Sequence, residues 1–197
     1  MTRQQSKPKT RLTFGRVKSP IGVIVVACKD DALCALDWAD PDKQELMLAW
    51  LNRRFGDFER VEAADPGGVC TRLGAYLLGD LDALDHIEVD GGGTEFQRKV
   101  WKGLRRIAAG KVVSYQGLAQ RLGMPSSVRA VARANALNPI SIVVPCHRVI
   151  GSDGSLTGYG GGLPRKRWLL EHEGVVLPSA GAELSRDRRY PAPRPRP

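Results

Sequence analysis

"SYQGLAQRLGMPSSVRAVARANALNP", residues 114–139, decides how the second half of this chain folds. Ser114 stands where a helix cap belongs, and Gly123 stops the short helix it opens. Pro125 and two serines lead into a second helix, expected from about Ser127 to Leu137 and broken at Asn138-Pro139. Two short helices joined through a tight glycine-containing turn read as a helix-turn-helix. The second helix is made mostly of small residues: Val128, Ala130, Val131, Ala132, Ala134 and Ala136. Only Arg129 and Arg133 project far from it. An ordinary alanine-rich helix with solvated arginines would look like this. So would a helix that presses its backbone into a groove, with arginine as a probe for phosphate or for a gap in a base stack.

Downstream, "SIVVP" (141–145) reads as a buried strand that delivers Cys146, followed at once by His147 and Arg148. A cysteine attacks as thiolate, and a free thiol with a pKa of about 8.5 is only slightly ionised near neutrality. A neighbouring base helps. Successive side chains on a strand, however, point to opposite faces. Cys146 and His147 therefore cooperate only if the chain turns sharply after Pro145 or a water bridges them. A third group would orient the imidazole. Glu173 in the last helix, "PRKRWLLEHEG" (164–174), is the candidate carboxylate, with Glu171 as the alternative. Between them lies a glycine-rich loop, "SDGSLTGYGGGL" (152–163), that carries Tyr159. A structural histidine beside a buried cysteine is the competing reading of the pair.

Upstream, "TEFQRKVWKGLRRIAAGKV" (94–112) opens on a capping box, Thr94 with Gln97 three residues on. Phe96, Val100, Trp101, Leu104 and Ile107 form one apolar stripe, and the helix is expected to run until Gly110. "DGGG" (90–93) is the clearest linker. The first half reads as mixed α/β. "IGVIVVACKD" and "ALCALDWAD" are strands, "DKQELMLAWLNRRFGD" is a helix stopped by Gly56, and "VCTRLGAYLLGDLDAL" is a second helix ending near Gly79.

Charge divides the chain at the same linker. Residues 1–92 hold 12 basic against 15 acidic side chains, a net −3. Residues 93–178 hold 13 against 4, a net +9, and the tail from Ser179 holds 5 against 2, a net +3. A basic second half suits a polyanion. The expected organisation is an α/β domain over 1–92, a mainly helical domain over 93–178 and a disordered, basic, proline-rich tail over 179–197. The N-terminus lacks the apolar stretch of a secretory signal, and no run is long enough to span a membrane, so the cytoplasm is the expected location. Cys28, Cys34 and Cys70 read as buried small hydrophobes. Their spacing, even with His86, matches no zinc pattern, so no metal and no cofactor is assigned.

"PCHRV", with "SYQGLA" and "RAVARANALNP" before it and "GSLTGYGGGLPRKRWLLEHEG" after it, closely resembles the O6-alkylguanine-DNA alkyltransferases. The resemblance is firm from about Thr94 to Gly174. It implies a ribonuclease-H-like first domain and a helix-turn-helix, winged-helix-like second domain. It implies duplex DNA carrying O6-alkylguanine as partner, with O4-alkylthymine as a further candidate, and a protein that is a monomer in solution. Cooperative assembly on DNA is left open. Cys146 would be the acceptor thiolate, consumed by a single transfer, His147 the water-mediated base and Glu173 its orienting carboxylate. Tyr115 would donate a proton to the departing guanine. Arg129 would fill the gap left by the flipped nucleotide, with Ser114, Val128, Ala130 and Arg133 beside it on the DNA. Asn138 would brace the turn before the cysteine. Pro145, Arg148, Val149, Tyr159, Gly160 and Gly161 would shape or support the guanine pocket. Gly160 stands where some members carry serine, which removes a hydroxyl contact there. Three rivals remain: a lesion-binding relative without repair activity, against which Cys146 itself argues; a helix-turn-helix transcription factor, which needs no Cys-His pair; and a cysteine hydrolase, which needs no DNA.

Overall fold

The computed structural model describes residues 9–177; the tail expected to be disordered lies outside them. The first half builds a four-stranded sheet from β1 (Thr10–Ser19), β2 (Gly22–Lys29), β3 (Ala32–Trp38) and β4 (Phe58–Glu62), in the order β3-β2-β1-β4. The first three strands are antiparallel neighbours, and β4 lies parallel to β1. Asp30 and Asp31 turn the chain between β2 and β3 with φ of 48° and 66°. Aspartate is among the few side chains that tolerate this region.

The sheet is apolar on both faces, and the period of two sorts its side chains. Leu12, Phe14, Val25 and Ala27 face Met47 and Leu51 of helix α1 (Pro41–Phe55). Ile24, Val26, Leu33, Leu36 and Trp38 face the other way. There they enter one buried cluster with α2 (Val69–Leu77), α3 (Glu95–Leu104) and the residues around Cys146. Two single bridges extend the edge of β3: Leu33 with Val89, just before the linker, and Leu36 with Ile140 of the second half.

In the second half, α3 carries the expected box: Gln97 N–H donates to Thr94 Oγ1 at 3.2 Å, and Thr94 N–H donates to Gln97 Oε1 at 2.8 Å. The helix stops at Leu104, short of the expected Gly110. Ile107 still inserts into the core, but from the turn that follows. Helices α4 (Tyr115–Arg121) and α5 (Val128–Ala136) form the expected pair, joined through the 3-10 turn Pro125–Ser127. Strands β5 (Val113–Ser114) and β6 (Val149–Ile150) pair in parallel and tie the start of α4 to the cysteine segment. Helix α6 (Leu163–His172) is the last element of the described residues, with Pro164 in its first turn. No helix of the described residues is long and apolar enough to cross a membrane.

A second expectation fails besides the length of α3. "SIVVP" is no strand: after the bridge at Ile140 the chain turns, with Ile142 at φ 69°. A β-branched residue in that region is strained, and the strain persists only because packing and hydrogen bonds over-determine the turn. Ile142, Val143 and Val144 are buried, so an apolar run that looks like a strand is instead a packed loop.

Trp38 joins the two halves physically. It is fully buried, its ring lies edge-on to Tyr159 at 5.8 Å, and the Arg165 guanidinium sits 4.8 Å over it. Trp38→Ala is expected to cost about 3–5 kcal/mol of stability, as large-to-small core changes do. Urea unfolding followed by fluorescence or circular dichroism measures it; a loss below about 1 kcal/mol would show that the ring is not core.

Candidate active site

Cys146 lies at the head of a 3-10 turn, Cys146–Arg148, set up by Pro145. The turn removes the obstacle that an extended strand would pose, because thiol and imidazole need no longer project to opposite faces. Asn138 holds the approach to it. Its amide Nδ2 donates to Val144 O at 2.8 Å and to Ile140 O at 3.3 Å, while Oδ1 accepts from Ile140 N–H at 3.0 Å. Ile140 N–H has Asn138 as its partner, while Ile140 O and Val144 O also accept from the backbone N–H groups of Val144 and Cys146, so the side chain reinforces the turn.

The Cys146 thiol is 6% exposed. Burial pushes its pKa up to about 11, against the pull of the Asn138 amide and the Lys166 charge. At rest the group is a thiol. Lys166 itself is fully buried and donates to Val149 O at 2.6 Å and Thr157 O at 2.7 Å. Burial draws its pKa down to about 8. It cross-links the strand after the cysteine to the glycine-rich loop.

His147 is fully buried, and its Nε2 lies 2.9 Å from Glu173 Oε1. Burial holds its pKa below the ordinary 6.5, although Glu173 pulls the other way. The ring is therefore neutral at pH 7, with the proton on Nε2 donated to the carboxylate. Nδ1 keeps a lone pair, and that atom has no hydrogen-bond partner. A neutral imidazole with one nitrogen anchored and the other free can accept a proton.

Glu173, the residue that ends α6, is 1% exposed. Burial would raise its pKa, but His147 and Arg148 outweigh that and hold it well below the carboxylate range. Arg148 grips it as a fork, Nε to Oε2 and Nη2 to Oε1, both at 2.9 Å, and donates a further N–H to Ile107 O. Tyr76 O–H donates to Oε1 at 2.8 Å, and Gly110 N–H approaches Oε2 at 3.4 Å. Glu171, the alternative carboxylate, pairs with Arg167 instead.

A cavity of about 360 Å³ opens onto Cys146, with Tyr115, Asn138, Tyr159 and Gly160 among its lining residues. Tyr115 begins α4, directly after Ser114, whose Oγ caps the helix by accepting from Gly117 N–H at 3.0 Å. The Tyr159 ring is 6.4 Å from that of His147, and its hydroxyl has no protein partner. Gly160 has open space where a Cβ would stand; at Gly161 a Cβ would come within 2.4 Å of the Trp38 ring. Pro145 and Val149 are buried. On α5, Val131, Ala134 and Asn135 face inward, Val128 is half-buried, and Arg129, Ala130 and Arg133 are exposed. Arg129 near the start of α5 and the Cys146 cavity thus belong to opposite ends of one short unit, α5 and the loop after it, while Arg133 lies in the last turn of the helix.

Sequence reading missed Tyr76, Lys166, Asp37 and Asn135. The last two also line the cavity. Tyr76 sits on the apolar stripe of α2 with Val69 and Leu73 and reads as core. Lys166 is one of three successive basic residues, which read as a solvated face. Nothing local marks either as buried and paired.

Glu173→Gln removes the charge that balances buried Arg148. We expect it to cost about 3–5 kcal/mol at pH 7, as breaking a buried pair does. The depressed carboxyl makes its contribution fully above its ordinary value of 4.5 and loses it as pH falls below that toward the folded-state value. The difference between wild type and variant in urea unfolding should shrink on acidification. A difference that is independent of pH would contradict the ionised assignment.

Residues 95–175 match the family model described as "6-O-methylguanine DNA methyltransferase, DNA binding domain". Over 168 residues the chain is 45% identical to the methylated-DNA–protein-cysteine methyltransferase of Shigella flexneri, spanning 85% of this chain and 98% of that one. The protein of the same name from Salmonella typhimurium strain LT2 is 47% identical over 169 residues, with the same coverage. Among solved structures, Mycobacterium tuberculosis OGT in complex with DNA is similar at a TM-score of 0.67 and 38% identity, over 82% of this chain and 92% of that one. The O6-methylguanine-DNA methyltransferase of Pyrococcus kodakaraensis strain KOD1 follows at 0.66 and 28%, over 83% and 99%. With relatives at 45–47% identity matched over nearly their whole length, the chain belongs to the methylated-DNA–protein-cysteine methyltransferase family.

Proposed function

We propose that this protein repairs duplex DNA by flipping O6-alkylguanine into the Cys146 cavity and moving the alkyl group onto its own thiol. The observation that carries the reading is the buried His147–Glu173 pair placed directly after Cys146, whose thiol lines the cavity. Residues 1–92 would be a ribonuclease-H-like domain and residues 93–178 the reacting domain. In support, the sheet order β3-β2-β1-β4 suits the first label, and the α4–α5 pair with the short β5–β6 ribbon suits the second. The division at the DGGG linker rests on the change of charge there.

The chemistry follows from the groups present. The Cys146 proton passes to His147 Nδ1, directly or through a water, and the imidazolium is stabilised by Glu173. The thiolate attacks the alkyl carbon attached to O6. A C–S bond forms as the C–O bond breaks, and the bonding pair stays on guanine. Tyr115, at the edge of the cavity, donates a proton to that leaving group, and the proton held by the imidazolium returns to the tyrosinate by way of water, which restores neutral His147. Protonating a leaving group in flight is worth about 10²–10⁴ in rate. Burial that keeps the thiol protonated at rest also keeps it from reacting with stray electrophiles.

Extrusion of the nucleotide costs a few kcal/mol. The exposed, small-residue face of α5 would lie against the minor groove, Arg129 would fill the vacated stack, and Ala130, Arg133 and Val128 would meet the backbone beside it. The net +9 of residues 93–178 would supply the sequence-independent attraction.

A thioether has no leaving group that water displaces, and no second nucleophile lies in this network. Each molecule should act once. With excess O6-methylguanine duplex, repaired guanine is expected to plateau at one equivalent per active protein. Mass spectrometry should find one added methylene on the peptide containing Cys146, and Cys146→Ala should show neither while still shifting lesion DNA in a gel. Repair that climbs past the protein concentration would overturn the reading.

Arg129→Ala should slow repair of duplex DNA about ten-fold or more but leave reaction with free O6-benzylguanine nearly unchanged, because only the duplex has a stack to fill. Equal losses on both substrates would assign Arg129 a structural role.

A further inference from the structure

We propose that Tyr76, a residue of the first half of the chain, is a positioning residue for alkyl transfer: its hydroxyl holds Glu173 Oε1 and so sets how strongly that carboxylate draws on His147. This deepens the alkyltransferase reading and rests on it.

The geometry is specific. Three donors converge on Glu173 Oε1: Tyr76 O–H at 2.8 Å, His147 Nε2–H at 2.9 Å and Arg148 Nη2–H at 2.9 Å. Only Tyr76 comes from outside the segment 93–178, and it lies 97 residues from Glu173 in sequence. It is fully buried, as is His147. Its place is fixed independently of that bond. Its backbone carbonyl accepts from His172 Nε2 at 2.7 Å, and its ring lies edge-on to the His172 ring at 5.1 Å. His172 in turn stacks on Trp168 at 4.8 Å. Tyr76 is thus clamped to the helix that ends in Glu173, and its hydroxyl has one direction to point.

A phenol facing an ionised carboxylate donates. Burial, and Glu173 after it, hold the Tyr76 pKa well above 10, so it remains a donor at every working pH. The charge on Oε1 is then divided among three hydrogen bonds. The charged and titratable groups that face His147 are Glu173, Arg148, Lys166 and the Tyr159 ring, and the Cys146 thiol acts on Tyr159 and Lys166 in turn. Those that face Glu173 are His147, Arg148 and Tyr76. Of the groups that touch the carboxylate, Tyr76 is the uncharged phenol supplied by the first half of the chain. Removing its hydroxyl returns electron density to the His147 bond and favours the imidazolium. His147 would then lose its free Nδ1 lone pair at a pH where the wild type still has it. The first half of the chain would in this way adjust a proton transfer that takes place in the second.

The test uses the full chain and free O6-benzylguanine as probe, so that DNA binding does not enter. The rate of benzyl transfer to Cys146 is followed by intact mass across pH for wild type, Tyr76→Phe and a protein with 3-fluorotyrosine at position 76. Phenylalanine keeps the ring contacts and loses the donor; fluorotyrosine keeps the shape and donates more strongly. Tyr76→Phe should move the acid limb of the profile up by about half a pH unit, which slows transfer on that limb about three-fold, and leave the plateau within about two-fold. Fluorotyrosine should move the limb down. Coincident limbs in all three proteins would overturn the proposal. Should Tyr76→Phe fail to fold, as a thermal melt will show, the fluorotyrosine protein decides alone. A wild type that takes no benzyl group on Cys146 would instead overturn the alkyltransferase reading, whatever Tyr76 does.

Discussion

An ionised carboxylate in a protein interior is tolerated only when every lone pair is met, and this fold is arranged around meeting those of Glu173. Its donors come from α2, from the turn after α3, and from both residues that follow Cys146. An isolated buried carboxylate would take up a proton instead. Here the Arg148 fork supplies both charge and geometry, and bidentate pairing is what a guanidinium does better than an ammonium. Once Glu173 is fixed, His147 has one tautomer and one orientation. The side of the imidazole that meets the cysteine segment is then the basic side. The chemistry depends on a network that must assemble before any substrate arrives.

The position of Cys146 depends on a second constraint, the turn between Asn138 and Pro145. Backbone groups in a buried loop have no strand partner, and the Asn138 side chain takes that part for three of them. Ile142 pays in strain for the shape of the turn. The same asparagine follows the C-cap of α5 and donates its backbone N–H to Asn135 O at 3.3 Å, so the helix that carries Arg129 and the turn that carries Cys146 are coupled. A displacement of α5 on contact with a partner would be felt at the thiol through one residue.

Legibility in the sequence follows the range of the forces. Helix boundaries written in local hydrogen bonds could be read, as at Thr94 with Gln97 and at Ser114. So could the α4–α5 pair and the strands β2 and β3, where apolar periodicity is strong. Strands β1 and β4 could not: Thr10–Ser19 carries three charges between its apolar residues, and Phe58–Glu62 is short and acidic. "SIVVP" was misread because burial, not secondary structure, selects its side chains. The end of α3 was misread because the stripe continues to Ile107 although the helix does not. At the site, Cys146, His147 and Glu173 were visible through residue type and resemblance. Tyr76 and Lys166 were not, since their partners are set by tertiary packing and their neighbours in sequence suggest a core helix and a wet surface.

The high pKa of the cysteine bears on how a protein that reacts once avoids reacting wrongly. Every unproductive alkylation would discard a whole molecule, so a permanently ionised thiol would be a liability. Burial raises the thiol to about 11 while Asn138 and Lys166 hold a counter-pull in reserve. On the proposed mechanism Nδ1 of His147 is the base, but the proton has reason to leave only when an electrophilic carbon lies against the sulfur and the developing negative charge has somewhere to go. On the same proposal that place is the departing base, held in the cavity beside Tyr115. Reactivity is therefore a property of the filled cavity and not of the free protein. The cost of ionising the buried thiol is met in the same step that breaks the bond to oxygen.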